Sequence, residues 1–281
     1  MMHEFLDSWT LFGDTYLVGW LIAVMLGLLG VFVLARNQVF VGAALSQVST
    51  LGVALATALG AALHGRAPAW VESEGALTGT AVAVAVAASV LSARYAASAR
   101  VAGRDGLMGW LFLLGASVSI VVVSHSPHGL EEVQRLFASS IIGVTRGDLV
   151  LFLGLALITG LLVGMLRSTL LLWVMDPVMA LAVGVRVARV EVLSSIWLGL
   201  AVGLSIRASG TLYTFGCLVL PALIARPLCR EVRSMLWAAP LIALLLSTAG
   251  FVAANHFDFP PAQLSVALMC AAWPASLVAR R

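Results

Sequence analysis

The chain alternates between apolar runs of about 20 residues and short breaks that carry arginine and other polar side chains. A helix that crosses the hydrocarbon core of a bilayer needs about 20 apolar residues. About nine stretches meet that length, near 15–35, 39–62, 75–97, 107–124, 148–166, 190–207, 210–226, 235–254 and 262–279. The two runs on either side of Arg207-Ala208-Ser209-Gly210 are divided by a very short turn, so eight spans is the alternative count. The pattern predicts an all-α membrane protein, a polytopic helix bundle forming a single transmembrane domain over 1–281. Met1 to Asp14 is mildly acidic and lacks a positively charged leader with a small-residue cleavage site, so the first run is expected to be retained. Its opening residues are expected to lie as a short amphipathic helix at the interface.

The second run departs from the pattern of a plain anchor. From Arg36 to Ala56 it reads RNQVFVGAALSQVSTLGVALA, with small and polar residues deep inside a stretch where lipid contact alone would favour Leu and Ile. Ala43, Gln47, Thr50 and Ala54 share one helical face. Either Gln47 and Thr50 hydrogen-bond neighbouring helices while Gly42, Ser46 and Ser49 allow close packing, or this face lines a translocation path. A buried polar patch costs free energy unless it is satisfied, which both readings provide.

Charge then orients the bundle. All 16 basic residues are arginine, and with the N-terminus outside, Arg36, Arg94, Arg100, Arg104, Arg167, Arg186, Arg189, Arg226, Arg230, Arg233, Arg280 and Arg281 fall in cytoplasmic positions. Only Arg66, Arg135, Arg146 and Arg207 fall on the other side, a positive-inside bias that predicts N-out, C-in topology for nine spans. Composition agrees with the class: 61% of residues are hydrophobic and 10% charged, against about 45–50% and 25% in soluble domains. The arginines flank spans, and no nucleic-acid partner is expected.

Several activities are excluded by what is missing. A phosphate-cradling loop of the GxxxxGK[ST] type needs its lysine, and the sequence has none, so any ATP-driven role needs a partner subunit. There is no HExxH, no GxSx with a plausible histidine partner, and no acidic residue in the middle of a span to relay protons. An intramembrane enzyme or ion-coupled carrier is therefore the remote alternative. Cys217, Cys229 and Cys270 are far apart and suggest neither a disulfide framework nor a CxxC metal site.

One cytoplasmic stretch is too short to cross. Asp176 has the chemistry of an N-cap, Pro177 suits the first helical position, and Gly184 suits a terminator, which predicts a short helix at about 176–187. It either connects two spans along the interface or serves as a coupling helix, inserting Val178, Met179 and Leu181 into a groove of a cytoplasmic partner.

The remaining candidates are few. His125 and His128, three apart in an outward loop, form a possible metal-capturing pair, and His256 with Asp258 lies near another outward loop. Each also has a plain reading, as solvated loop or helix end. Cys217, just before Leu218-Val219-Leu220-Pro221, either offers a thiolate to a soft metal or is a small buried apolar residue. Pro221 is expected to kink its span and free carbonyls toward the pathway.

The stretch GAALSQVSTLG resembles the GDALSHSALLG signature of the zinc/manganese permease family of ABC importers. Further matches follow in the family's order. LFASSIIGVTRGDLVLF (136–152) and DPVMALAVGV (176–185) are similar to its pre-span and coupling-helix stretches, FGCLVLPALIARPL (215–228) to SALLVLPAATARLL, and GFVAANHFDFPPA (250–262) to GLLLSYYLDLPSGA. The resemblance covers most of the chain. It implies a multi-pass permease of the bacterial cytoplasmic (inner) membrane that pairs with a second copy or a paralogue. Two cytoplasmic ATPases using ATP and magnesium and an extracytoplasmic substrate-binding protein would complete the importer, with a divalent transition metal, zinc or manganese, as cargo. In the family signature an Asp and a His stand four residues apart and grip one ion from a single helix face. Aligned on Gly42 and Leu45-Ser46, those positions are Ala43 and Gln47 here. The alternative is a ligand-poor half of a heteromeric permease, or a transporter of a non-metal small solute.

Overall fold

The computed structural model of the protein describes residues 2–62, 74–98, 102–124 and 143–279. Every regular element among them is a helix: α1 (Met2–Ala35), α2 (Val39–Ala62), α3 (Glu74–Ser98), α4 (Ala102–Val123), α5 (Arg146–Met165), α6 (Arg167–Met175), α7 (Pro177–Ala182), α8 (Val187–Leu228), α9 (Val232–Phe257) and α10 (Pro261–Ala279). Among the described residues, 8 helices are long and apolar enough to cross a membrane. They fall where the apolar runs predicted, because length and apolarity are the two properties a bilayer demands.

Two boundaries differ from expectation. The first is that α1 runs without interruption from Met2 to Ala35, so no separate interfacial helix precedes it. Nothing between Met2 and Asp14 breaks a helix, and Trp9 stacks on both Tyr16 (6.0 Å between centroids) and Trp20 (5.8 Å), which ties the two parts of α1 together. The second is that the two runs expected near 190–207 and 210–226 meet as two helices at a sharp kink within the 42-residue stretch α8, with no separate turn between them. Arg207, Ala208 and Ser209 continue the helix, and the break is one residue, Gly210, at φ 78 and ψ 170. Only glycine adopts that conformation without Cβ strain. An unbroken helix of that length would reach about 63 Å, twice the hydrocarbon thickness of about 30 Å.

The chain forms two compact units. One comprises Met1–Gln38, Ser140–Val187 and Ala208–Arg281, the other Val39–Ser139 and Ala188–Arg207. In the first, α1 packs on α5 and α9, and α9 on α10. Tyr213, fully buried in the second half of α8, donates its hydroxyl to the Gly19 carbonyl of α1 at 3.0 Å and stacks against Phe251 of α9 at 6.1 Å. In the second unit, α2 packs on both α3 and α4. The first part of α8 joins them through Ser89, whose hydroxyl donates to the Ser195 carbonyl at 2.6 Å.

Both units are closed by backbone meeting backbone at small residues. In the first, a Cβ added at Gly30 would land on the carbonyl oxygen of Leu218, and one added at Gly250 would lie 2.5 Å from Ser265 Cα. In the second, a Cβ at Gly52 would lie 2.8 Å from Ala81 Cα, and one at Gly199 would lie 2.9 Å from Val86 Cα. Large apolar side chains are exposed on other faces: Leu153, Leu157 and Leu161 of α5, and Leu241 and Leu245 of α9. In α5 22% of the most apolar window is buried, against 72% in α2 and 67% in α1, which makes α1 and α2 the inner helices of their units.

Gly30→Ala is expected to destabilise the detergent-solubilised protein by about 3 kcal/mol or more, the top of the overpacking range, because the obstacle is backbone and cannot swing aside. Gly154→Ala, which meets nothing within 4 Å, is expected to add about 0.5–1 kcal/mol by improving helix propensity. Thermal unfolding followed by size-exclusion recovery measures both, and equal behaviour of the two variants would contradict the packing described.

Candidate functional site

The polar face of α2 is spent almost entirely on its own backbone. Thr50 is fully buried and its hydroxyl donates to the Ser46 carbonyl at 3.0 Å, while Ser46 donates to the Ala43 carbonyl at 2.8 Å. Ser49 reaches across to the Ala81 carbonyl on α3 at 3.5 Å. Gln47 differs. Its residue is half-buried, yet its side-chain carbonyl oxygen is sealed from solvent and has no hydrogen-bond partner among the described residues. Helix α4 presses on the same position from the side, since a Cβ at Gly115 would lie 2.6 Å from the carbonyl carbon of Gln47 and 2.8 Å from its oxygen.

The face from Ala43 to Ala54 therefore offers hydroxyl lone pairs and one uncommitted amide, with no carboxylate or imidazole. A neutral amide is a weak ligand for zinc, and the Ala43 methyl is none at all. Among the described residues no group of three or more His, Cys, Asp or Glu is placed to hold a metal ion.

Cys217 and Pro221 lie in the other unit, in the second half of α8. Cys217 is fully buried, one helical turn after Tyr213, whose hydroxyl donates to the Gly19 carbonyl of α1. Pro221 sits inside the helix and supplies no N–H, so the Cys217 carbonyl four residues earlier loses its helical donor. Of the path candidates, Ala43, Gln47 and Thr50 share α2, and Cys217 and Pro221 share α8.

The short helix takes the form its punctuation predicted, over a narrower range. Asp176 Oδ1 accepts from the backbone N–H groups of Val178 (3.0 Å) and Met179 (2.9 Å), and Pro177 opens α7. At the other end Gly184, at φ 90, closes a Schellman turn: Val185 N–H donates to the Ala180 carbonyl at 2.9 Å and Gly184 N–H to Leu181 at 3.0 Å. The helix proper is Pro177–Ala182, and Val187 already belongs to α8, so 176–187 was too long. Ala180 is fully buried, whereas Val178, Met179 and Leu181 are 76%, 52% and 60% exposed.

His125 and His128 lie outside the described residues. His256 and Asp258 are exposed at the end of α9. Asp258 takes the left-handed conformation (φ 54) with Phe259 N–H donating to the Ala254 carbonyl at 3.1 Å, the geometry of a helix terminator, and the His256 ring meets Phe257 edge-on at 4.8 Å.

Sequence reasoning missed one contact near α7. The guanidinium of Arg36, at the end of α1, lies 4.2 Å from the ring centroid of Trp173 in α6. Arg36 had counted only as a topogenic charge, and no one-dimensional pattern connects two residues so far apart. A cation over a desolvated indole contributes about 2 kcal/mol.

A bundle of membrane-length helices, with its small-residue crossings and an exposed capped helix between spans, defines a multi-pass membrane protein fold. The chain belongs to the ABC 3 transport family, whose profile matches residues 9–279. It is similar to the manganese transport system membrane protein MntC of Halalkalibacterium halodurans, 24% identical over 85% of this chain and 76% of that one. It is also similar to the manganese import system permease protein ScaB of Streptococcus pneumoniae, 26% identical over 92% of this chain and 87% of that one. The solved structure of PsaBC from Streptococcus pneumoniae in complex with Fab has the same fold, with TM-score 0.80, 19% identity and coverage of 98% and 95%. The family resemblance read from the motifs holds, and the chain is a multi-pass permease of the inner membrane rather than an enzyme.

Replacing Asp176 by Ala removes the oxygen that caps α7 and is expected to cost about 1 kcal/mol of local helix stability. Amide hydrogen exchange at Val178 and Met179 should then quicken by about fivefold, with Asp176→Ser restoring most of the protection. Unchanged exchange in the Ala variant would show that the cap does not hold this helix.

Proposed function

We propose that this chain is the membrane permease of an ATP-binding-cassette importer and moves a divalent metal ion inward, using a cytoplasmic ATPase pair. The observation that supports this best is α7, an exposed apolar helix held at both ends, with Asp176, Pro177 and Gly184 fixing its shape and Val178, Met179 and Leu181 turned outward. Such a helix suits a groove on a soluble partner. The partners in this reading are a second copy or a paralogue, two ATPases that bring ATP and magnesium, and an extracytoplasmic substrate-binding protein. The N-terminus lies outside and the C-terminus inside, with nine crossings if α8 turns at Gly210. Ala43, Gln47, Thr50, Cys217 and Pro221 border the path, and His125, His128, His256 and Asp258 are the remaining metal candidates.

The substituted pair on α2 favours a second reading of the cargo. With Ala43 and Gln47 where relatives of the signature carry Asp and His, this chain is the ligand-poor half of a heteromeric permease, or carries a solute that is not a free divalent ion.

Affinity purification of the chain with the products of its neighbouring reading frames tests the importer reading. An ATPase should copurify, and Met179→Asp or Leu181→Asp should abolish both its retention and transport; retention and full transport in both variants would sink the proposal. Calorimetric titration with Zn²⁺ and Mn²⁺ tests the cargo. The double variant Ala43→Asp, Gln47→His should bind at least about tenfold more tightly than the parent, the lower end of what even an outer-sphere partner contributes. A tight stoichiometric site already present in the parent homodimer would remove the second reading.

A further inference from the structure

We infer that Arg36 and Trp173 form a positioning link that ties movement of the exposed helix α7 to the start of α2. This rests on the importer reading above, which makes α7 the docking helix.

Trp173 is 5% exposed, and with Val174 it forms the buried side of α6. It stands three positions before Asp176, so a push on α7 is felt at Trp173 through one turn of backbone. The Trp173 indole N–H is buried and makes no hydrogen bond among the described residues. Hydrogen bonding therefore does not explain the choice of indole here, whereas the cation above its face does: Trp offers the strongest π-face to a guanidinium.

Arg36 stands at a junction on the other side of the contact. It ends α1, where Asn37 takes the left-handed conformation (φ 55), Asn37 N–H donates to Leu34 at 3.0 Å and Gln38 N–H to Val33 at 2.9 Å. This Schellman turn is compact, and α2 starts at the next residue, Val39. Arg36 is thus joined to Gln47 by two turn residues, Asn37 and Gln38, and about two turns of α2. The two units divide between Gln38 and Val39. The guanidinium lies over the helix that precedes α7 in the first unit, and α2, which bears the candidate path, begins three residues further along the chain.

The test uses the full permease assembled with its ATPase in proteoliposomes, reading ATP hydrolysis and cargo uptake together. Arg36→Gln and Trp173→Leu should retain the ATPase and hydrolyse at a rate near the parent's. Cargo moved per ATP should fall by about fivefold or more, the lower end of usual coupling effects. The double variant should be no worse than either single one, as for two halves of one contact. Arg36→Lys and Trp173→Phe, which keep a cation and an aromatic face, should recover most of the ratio. If hydrolysis and uptake fall in proportion, or if the ratio stays at the parent value in every variant that assembles, the link is merely structural and the inference fails. Should the Gln and Leu variants not assemble, Arg36→Met and Trp173→Met decide: each keeps bulk and loses the charge or the π-face, so a ratio about fivefold or more below the parent's with full assembly supports the link and an unchanged ratio overturns it. Failure of the parent chain to retain any ATPase would instead overturn the importer reading itself.

Discussion

Lipid tails are as apolar as leucine, so helices in a bilayer gain little by hiding apolar side chains from one another, and close backbone approach has to supply the attraction. The crossings of this protein follow from that constraint. Gly30 against the Leu218 carbonyl, Gly250 against Ser265, Gly52 against Ala81 and Gly115 against the Gln47 backbone all bring two main chains together where even a methyl group would intervene. Large side chains then point outward, as on α5, where they meet solvent of their own kind.

The same environment governs the polar groups. A hydroxyl in hydrocarbon has to bond somewhere, and the nearest acceptor is the carbonyl one turn earlier in its own helix. Thr50, Ser46, Ser205 and Ser265 all take that route. Other side chains do not: Ser49, Ser89 and Tyr213 reach across to a neighbouring helix, and Gln47 leaves an oxygen uncommitted beside a close α2–α4 contact.

Most spans were legible because a bilayer sets both the length and the composition of what crosses it. The short helix was legible because Asp176, Pro177 and Gly184 are local signals whose geometry does not depend on distant residues. Where the outcome needed three dimensions, the pattern was silent. Arg207, Ala208 and Ser209 looked like a turn, yet only Gly210 leaves the helix, since the neighbours can bond within it and glycine alone is free to break. Helix α1 continues through Met2–Asp14 because aromatic stacking among Trp9, Tyr16 and Trp20 outweighs the drop in apolarity. On the candidate site, the sequence placed Ala43, Gln47 and Thr50 correctly on one face, but it held no sign of the Arg36–Trp173 contact or of the seal over Gln47.

The two ends of α7 have a consequence for assembly. Isolated helices shorter than about 12 residues are marginal in water, and this one has six. With Asp176 closing one end, the Gly184 turn the other and Ala180 fixed to the body, its backbone is ordered before any partner arrives. Preorganisation of this kind removes the folding entropy from the cost of association, so the contact area of three side chains suffices where a flexible loop would need a larger footprint. In the proposed importer reading, a small, rigid footprint can also be released quickly, which would suit a joint loaded and unloaded in every turnover.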